Sequence, residues 1–306
     1  MILCCGEALI DMLPRETTRG EAGFAPYSGG AVFNSAVALG RLGAPVEFFT
    51  GLSSDLFGDM LRQTLGESRV GTRYAAVSGR PTTLAFVRLT NGQAKYVFYD
   101  EGTAGRMLSA SDLPALDDDV SAMLFGAISL IPEPCGSTYE ALMRREQGRR
   151  VMMLDPNIRP GFIPDAAAHR ARIMRMVAMA DIVKLSDEDL AWFGEPGATE
   201  DIIRRWLSLG PSLILLTRGG EGATGYTASH KVSVPAPRVE VVDTVGAGDT
   251  FNAGALAALH EAGLLTRSAV AALTPDQIRA ALDLGIRAAA VTVSRAGANP
   301  PWRREI

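Results

Sequence analysis

The sequence predicts an α/β protein with a mainly parallel central sheet and a small β lid. Apolar, β-rich runs alternate with segments of helical periodicity along most of the 306 residues, and this alternation is typical of a parallel sheet. One pair of β-rich runs interrupts it, at residues 83–90 and 94–99. They meet near Asn91-Gly92, a strong hairpin sequence. We expect this hairpin to form a lid, although an antiparallel edge of the main sheet remains an alternative.

The remaining elements follow in chain order. The predicted strands of the main sheet are residues 2–10, 46–50, 122–130, 151–154, 182–185, 213–216 and, as a β-rich run, 226–235. The predicted helices cover residues 31–42, 137–147, 166–179, 200–209 and 250–262, and the first of them ends before Gly43. A further helix is capped by Ser54 or Asp55 and runs to Glu67, and the last one begins at the capping box Thr274-Pro275-Asp276-Gln277.

The polar, glycine-rich residues 13–27 join the lid. The predicted division is a large domain of residues 1–12, 28–80 and 107–306 and a lid of 13–27 and 81–106.

Composition excludes several classes of protein. Hydrophobic residues make up 47% and charged residues 21% of the chain, as in a compact globular protein. The net charge is −4 with the two signs interspersed, so we expect no nucleic-acid or membrane partner. Cys4 and Cys5 would point to opposite faces of a strand, and Cys135 stands alone, so free buried thiols are expected rather than a metal site. A soluble, cytoplasmic protein follows as the expectation.

The most informative segment is the turn Gly246-Ala247-Gly248, between a β-like run and a helix. Small residues allow a ligand to approach the backbone, and the free N–H groups at a helix start attract anions. Asp249 follows at once, where a carboxylate could accept a proton from an attacking hydroxyl. Alternatively, Asp249 is an ordinary acid at a helix N-terminus, worth under ~1 kcal/mol. The turn lacks the Gly-Lys-Ser/Thr ending of a Walker loop.

Four motifs carry a resemblance to a known family. The run DTVGAGD at residues 243–249 resembles the C-terminal signature of the ribokinase-like (PfkB-type) carbohydrate kinases, and SGGA at 28–31 with Asn34 resembles the N-terminal one. DPNIR at 155–159 and TRGGEG at 217–222 match further landmarks in the expected order. The resemblance spans essentially the whole chain. It implies a three-layer α/β/α sandwich and transfer of the γ-phosphoryl group of ATP to a hydroxymethyl group of a small sugar.

The resemblance also implies residue roles at the phosphoryl-transfer centre and at the sugar. Asp249 becomes the catalytic base, and the backbone of Gly246, Ala247 and Gly248 becomes the anion hole. The implied sugar contacts are Asp11, Gly29, Gly30 and Asn34, with Arg159 at the phosphate or at substrate oxygens. Taken without the resemblance, Asp11 could merely end the first strand, Asn34 could cap a helix, and Arg159 could form a surface salt bridge.

For the nucleotide and the metals the resemblance is less complete. Nucleotide contacts are implied for Lys184, Ser186, Thr217, Gly219 and Gly222, together with the glycines of the anion hole. The family's Asn-x-x-Glu element, linked to Mg²⁺, is altered here to Ser186 and Asp189, and Glu188 is an alternative partner for magnesium-bound water. A K⁺ site is allowed at the backbone carbonyls of Asp243 and Val245, opposite residues 295–297.

Within the family, the runs GEALIDML, DPNIRP and KLSDEDL look most like those of fructokinases. The second candidate is a 2-keto-3-deoxygluconate kinase, which typically has Tyr-Tyr-Arg after the lid hairpin. Here Phe98-Tyr99-Asp100 stands at that place, and an Asp would repel a substrate carboxylate, although Arg106 could compensate. We therefore expect fructose as the acceptor. A non-catalytic sugar or nucleotide sensor is the remote alternative, and unpaired lid edges favour a homodimer.

Overall fold

The structure is a computed structural model that describes residues 1–90 and 93–306. Its strands are β1 (Ile2–Cys5), β2 (Leu9–Glu16), β3 (Ala22–Gly29), β4 (Val46–Phe49), β5 (Gly51–Ser53), β6 (Val70–Gly71), β7 (Ala76–Ser78), β8 (Leu84–Thr90), β9 (Gln93–Tyr99), β10 (Ala122–Gly126), β11 (Val151–Asp155), β12 (Ile182–Ser186), β13 (Leu213–Thr217), β14 (Ala223–Tyr226) and β15 (Lys231–Val234). Its helices are α1 (Ala31–Leu42), α2 (Leu56–Glu67), α3 (Cys135–Glu146), α4 (Ala166–Val177), α5 (Asp187–Phe193), α6 (Thr199–Leu207), α7 (Ala247–Glu261), α8 (Arg267–Ala271) and α9 (Pro275–Val293).

The central sheet has nine strands across the described residues, in the order β15-β14-β13-β12-β11-β10-β1-β4-β6. From β13 to β6 all neighbours are parallel, whereas β14 and β15 pair antiparallel at one edge. Each face of this sheet carries its own apolar cluster. Cys4 belongs to one cluster and Cys5 to the other, as their alternation on a strand requires. The predicted three-layer α/β/α sandwich is confirmed.

Two helices at the centre of one layer are almost wholly buried. In α1 only Ala31 and Arg41 escape full burial, and the helix ends at Gly43, whose φ of 90° favours glycine. In α7 the buried face includes Gly254, where a Cβ atom would lie 2.6 Å from the Cα of Gly285 on α9. Helices α7 and α9 can therefore approach closely. This packing fixes the first turns of α1 and α7, where the sugar and phosphate residues were predicted.

The lid hairpin belongs to a separate four-stranded sheet in the order β3-β2-β8-β9. Because β8 pairs with β2 and not with the central sheet, the alternative of an antiparallel edge on the main sheet is wrong. The predicted turn at Asn91-Gly92 lies outside the described residues. The small sheet takes in Leu9–Glu16 and Ala22–Gly29, so it includes residues 9–12 and 28–29 that the predicted division gave to the large domain.

Three predicted strands differ from the structure. The first one, residues 2–10, is two strands in different sheets, because the chain leaves β1 at Gly6 and joins the small sheet at β2. The strand predicted at 122–130 ends at Gly126 and continues as a 3₁₀ turn, because Ala127 has a φ of 61°. The run 226–235 contains only the end of β14, then the turn held by Thr227, then β15. The short helices α5 and α8 were not predicted.

Candidate active site

The carboxyl ends of the central parallel strands meet the N-terminal ends of α1 and α7, as expected for ligand sites in open α/β sheets. A small pocket opens there. Its polar lining comes from the end of β11 and from the two helices, with Asp155, Asn157, Ser35, Asp249 and Asn252. These residues are far apart in the sequence. The structure thus brings together the segment DPNIR, the region of Asn34 and the segment DTVGAGD.

Asp249 lies in the first turn of α7 and is 6% exposed. One carboxylate oxygen accepts a hydrogen bond from Asn34 Nδ2 at 2.9 Å, and the other from Asn157 Nδ2 at 3.5 Å. Burial raises the pKa of Asp249 to about 7, opposed by the hydrogen bond from Asn34. A carboxyl group with this pKa can take up and release a proton near neutral pH. Asn34 therefore does not cap its helix with its side chain; it holds Asp249.

The turn before Asp249, predicted to be an anion hole, leads directly into the N-terminus of α7. Gly246 adopts a left-handed φ of 78° and precedes the first residue of α7. The first N–H groups of a helix have no carbonyl partner within it, and they carry the positive end of the helix dipole. A Cβ atom on Gly248 would lie 3.0 Å from Lys184 Nζ, and one on Gly246 would lie 2.8 Å from Ala298. Glycine at both positions lets the turn pack closely against Lys184 and Ala298.

Lys184 places a buried positive charge next to this turn. The residue is 4% exposed, and its ammonium group lies 3.1 Å from Asp155 Oδ2. Burial alone lowers the pKa of Lys184, but the carboxylates of Asp155 and Asp189 outweigh it, and the pKa rises above the usual value. Asn252 Nδ2 donates to the same Asp155 oxygen at 2.6 Å, while its Oδ1 is buried without a partner in the described structure. That free oxygen can accept a hydrogen bond from a ligand.

Glu7 organises the start of α1, a role that sequence reasoning missed. Its Oε1 accepts the N–H of Ala31 at 2.7 Å, and its Oε2 accepts the N–H of Ser129 at 3.2 Å. Gly30 directly precedes the helix with a φ of 110°, and a Cβ atom there would lie 2.9 Å from the carbonyl oxygen of Glu7. A buried acid inside the apolar N-terminal run was the available indication. By fixing the first turn of α1, Glu7 also fixes Asn34.

The other predicted sugar residues lie on or beside the small sheet. Asp11 is inside β2 rather than at a strand end, so it does not terminate the first strand. Its burial raises the pKa to about 6. Gly29 packs directly against this carboxylate, which a Cβ atom at residue 29 would displace. Arg159 is exposed, donates to the carbonyl oxygen of Ile158 at 3.0 Å, and forms no ion pair with the described residues.

Comparison with known proteins places this geometry in a family. The model of the pfkB family carbohydrate kinases matches residues 1–304. The chain belongs to this family. It is therefore a phosphotransferase that acts on a sugar hydroxyl, and the resemblance found in the four motifs is confirmed.

The chain is also similar to individual fructokinases. It is 61% identical over 279 residues to a fructokinase of Rhizobium leguminosarum bv. trifolii, covering 91% of this chain and 86% of the relative. A fructokinase of Xylella fastidiosa with bound ATP superposes with a TM-score of 0.89 at 30% identity, covering 97% of this chain and 93% of that one. A fructokinase of Vibrio cholerae with fructose, ADP and calcium has a TM-score of 0.82 at 25% identity, with 97% and 94% covered.

In this carbohydrate kinase, the residues predicted around magnesium have mainly local partners. Ser186 and Asp189 form a capping box at the start of α5, and Asp189 Oδ1 also accepts the N–H of Ile158 at 2.7 Å. Glu188 beside them is exposed. Across the part of the chain that the structure describes, no group of three or more His, Cys, Asp or Glu residues could hold a metal ion by itself. A metal here would therefore depend on the nucleotide for most of its ligands.

The predicted nucleotide loop follows β13. Thr217 donates to the carbonyl oxygen of Leu185 at 3.3 Å. Gly219 has a φ of 48° and faces open space, whereas Gly222 has a φ of 103° and a Cβ atom there would lie 2.1 Å from Val234 O. The loop thus has an open surface at its beginning and a tight turn at its end. These features leave room for a ligand beside Gly219.

The K⁺ prediction concerns the segment just before the anion hole. The carboxylate of Asp243 accepts the N–H of Val245 at 3.0 Å and that of Gly297 at 2.9 Å. Its side chain thus ties the turn to residues 295–297, the segment expected opposite. Val245 is 43% exposed, so this side of the turn is open.

Proposed function

We propose that the protein is an ATP-dependent fructokinase that transfers the γ-phosphoryl group to a hydroxymethyl group of fructose. The observation that carries the proposal is the position of Asp249, clamped by Asn34 and Asn157 directly after the Gly246-Ala247-Gly248 turn. The similarity to a fructokinase of Rhizobium leguminosarum at 61% identity supports fructose as the acceptor. The exposed guanidinium of Arg159 is proposed to contact the phosphate or the sugar.

In the proposed mechanism, the sugar hydroxyl displaces an amide partner and donates its hydrogen bond to Asp249. The carboxylate takes the proton as the hydroxyl oxygen attacks the γ-phosphorus in line, and the bond between the γ-phosphorus and the β–γ bridging oxygen breaks to release ADP. The N–H groups of the first turn of α7 stabilise the charge on the equatorial oxygens, and the buried ammonium of Lys184 adds to the positive potential there. Lys184, Ser186, Thr217 and the loop glycines are proposed to face the nucleotide.

Mg²⁺ would neutralise the phosphate charge when bound with ATP. The residues fit a site in which the nucleotide supplies most ligands, because Asp189 is bound by backbone N–H groups and Glu188 is exposed at the same helix start. Glu188 and Asp189 are the residues that would hold its water molecules. The carbonyl groups of Asp243 and Val245 are proposed for K⁺.

A neutral sugar fits the lid better than an acid. Asp100 and Arg106 form an ion pair with 2.9 Å between the charged groups, and both side chains are about a third exposed or less. Arg106 is therefore engaged with Asp100 and is not free to receive a substrate carboxylate. The ring of Phe98 on the lid contacts Phe162 of the large domain with 4.6 Å between centroids. We propose that the small sheet closes over the sugar, forming a lid as the division into domains predicted.

The test is ATP consumption with fructose, ribose, 2-keto-3-deoxygluconate and adenosine as acceptors, using the wild type and the Asp249→Asn variant. We expect the highest kcat/KM with fructose and a loss of about 10²–10⁴-fold in kcat in the variant. Asp100→Arg should raise the kcat/KM for the keto-acid. Saturable sugar binding without turnover would instead indicate a sensor, and a preference for the keto-acid in the wild type would overturn fructose.

We also propose an oligomeric state and a cellular location. A homodimer through the lid is supported by exposed aromatic side chains on the small sheet, with Phe24 51% and Tyr99 62% exposed. A cytoplasmic location is supported by the three cysteines, all of which are buried and unpaired. Among the described residues, no helix combines the length and the apolar character needed to span a bilayer.

A further inference from the structure

A second cleft lies between the C-terminal end of α1 and residues 302–304. Its volume is about 420 Å³, within the range of about 300–1,000 Å³ that small-molecule sites occupy. Leu42 and Gly43 form part of the wall. The rest of the lining is basic or aromatic, and it consists of Arg41, Arg69, Trp302, Arg303 and Arg304. None of these residues belongs to the kinase site.

Arg41 brings a charge without a counterion into this cleft. Its guanidinium donates to Ser68 Oγ at 3.2 Å, to Asn299 Oδ1 at 2.9 Å and to Pro300 O at 2.9 Å. All three acceptors are neutral, and Arg41 forms no ion pair with the residues that the structure describes. Burial lowers the pKa of Arg41; the charges of Glu305 and Glu67 oppose this fall and that of Arg295 adds to it, and the pKa stays below its usual value. An anion in the cleft would relieve this unfavourable burial of charge.

Trp302 positions a second free guanidinium. The Cζ atom of Arg69 lies 5.2 Å from the centre of the Trp302 ring, and that of Arg41 lies 5.6 Å from it. Cation–π contacts orient a guanidinium without neutralising its charge. Arg69 is exposed and has no carboxylate partner among the described residues. The ring and the two guanidinium groups therefore form a preorganised basic wall.

The neighbouring acids form no ion pair with Arg41 or Arg69 among the described residues. Glu305 pairs with Arg295 at 2.7 Å, and Glu261 pairs with Arg303, itself a cleft residue, at 3.1 Å. Glu67 accepts a hydrogen bond from Gln63 at 2.8 Å. The positive character is local, since the whole chain has a net charge of −4. It is thus a property of this cleft rather than of the protein surface in general.

We propose that this cleft binds a small phosphorylated anion through Arg41, Arg69 and Arg304, with Trp302 in contact with its organic part. Arginine forks match the oxygens of a phosphate group in pairs. The aromatic ring offers a flat apolar surface to a sugar or a base. The proposal does not depend on which sugar the kinase site phosphorylates.

The test is a titration of the whole protein with pyrophosphate without magnesium, followed by tryptophan fluorescence and by calorimetry. We expect saturable binding with a change in fluorescence that is absent in Trp302→Phe. The double variant Arg69→Gln/Arg304→Gln should weaken binding by at least about tenfold, because two charge-assisted hydrogen bonds are lost. Its kcat with saturating substrates should stay at the wild-type value, since neither residue lies in the kinase site.

The matched control is Arg279→Gln, which removes an exposed charge on α9 outside the cleft. Unchanged affinity in Arg279→Gln with a loss in the double variant supports the site. Equal affinity in the wild type and the double variant, or an equal loss in Arg279→Gln, overturns it. Competition with AMP and with a hexose phosphate shows whether the anion carries a nucleoside or a sugar, and displacement by neither contradicts the phosphate-ester class.

Discussion

At the scale of single residues, the proposed role of Asp249 as the catalytic base predicts that the activity depends on pH. Because burial raises its pKa to about 7, the base is protonated in much of the free enzyme below neutrality. We expect log kcat/KM to fall with unit slope as the pH drops below about 7, and to level off above it. Steady-state kinetics between pH 5 and 9 with fructose and ATP would check this. A flat profile across that range would contradict the role of Asp249.

The same carboxyl group should give stability the opposite pH dependence from activity. An acid whose pKa is higher in the folded state than in the unfolded state stabilises the fold at low pH, and this contribution is lost as the pH rises through the folded pKa. Asp249→Asn removes a buried charge, so its Tm should exceed that of the wild type by about 2 °C or more at pH 8. The two proteins should converge near pH 4. A variant that is less stable at pH 8 would argue against an unfavourably buried carboxylate.

Lys184 supports a third prediction at this scale. Lys184→Met removes the cation beside the turn of residues 246–248 and leaves the buried Asp155 without its ion-pair partner. We expect kcat to fall by about 10–10³-fold and the free energy of unfolding to fall by about 3–5 kcal/mol. Steady-state kinetics and urea denaturation would measure the two losses separately.

The control for Lys184 is the double variant Lys184→Met/Asp155→Asn. It removes both charges of the buried pair, so stability should largely return while activity should not. Recovery of kcat together with stability would mean that Lys184 acts only on the fold. In that case its assignment near the nucleotide phosphate would be wrong.

At the scale of elements, Asp55 joins α2 to the start of the lid. Its carboxylate caps α2 by accepting the N–H of Gly58 at 2.8 Å, and it also accepts the N–H and the hydroxyl of Thr82 at 2.8 and 2.6 Å. Burial opposes ionisation, but the hydrogen bonds from Thr82 and Gly58 prevail and lower the pKa of Asp55. This stabilisation is present above the unfolded pKa near 3.8 and is lost as the pH falls through the lower folded value.

We therefore expect Asp55→Ala to lower the free energy of unfolding by about 1–2 kcal/mol at pH 7 and to raise the KM for the sugar more than the KM for ATP. The reason is that strand β8 begins just after Thr82. Urea denaturation at pH 7 and pH 3, with kinetics for both substrates, would measure these effects. Asp55→Asn retains a capping side chain and should lose less stability. Equal changes in the two KM values would show that Asp55 does not control the position of the lid.

At the scale of the whole molecule, the small sheet exposes a row of aromatic rings. Phe24, Phe86 and Tyr99 form edge-to-face contacts at 5.0 and 5.5 Å between centroids. Exposed apolar patches of this kind mark interaction sites, and β3 and β9 are the open edges of this sheet. The double variant Phe24→Ser/Tyr99→Ser should therefore convert a dimer to a monomer in sedimentation velocity at micromolar concentration.

Leu56→Ser provides the matched control for the dimer. Leu56 is 78% exposed and lies on α2, outside the small sheet. This variant should remain a dimer, which would exclude a general effect of removing surface hydrophobic groups. A monomeric wild type, or a dimeric double variant, would contradict an interface through the lid.

The sequence by itself determined the elements whose stability is local. The helix at residues 31–42 ends at Gly43 as predicted, and Asp55 and Thr274 cap their helices, because propensity and capping act within a few residues. The alternation of strands and helices likewise determined the layered fold. The motifs determined the family, and they placed Asp249 directly after the glycine turn of residues 246–248.

Only the tertiary structure decided which side chains meet. The first apolar run divides between two sheets because Gly6 packs closely against α1, where a Cβ atom would lie 2.4 Å from Val32. Glu7, Lys184 and Asn252 acquire their partners through contacts between distant segments, which periodicity and local spacing do not specify. The pKa of Asp249 is set in the same way, because burial is a property of the assembled layers and not of the residues next to it in the chain.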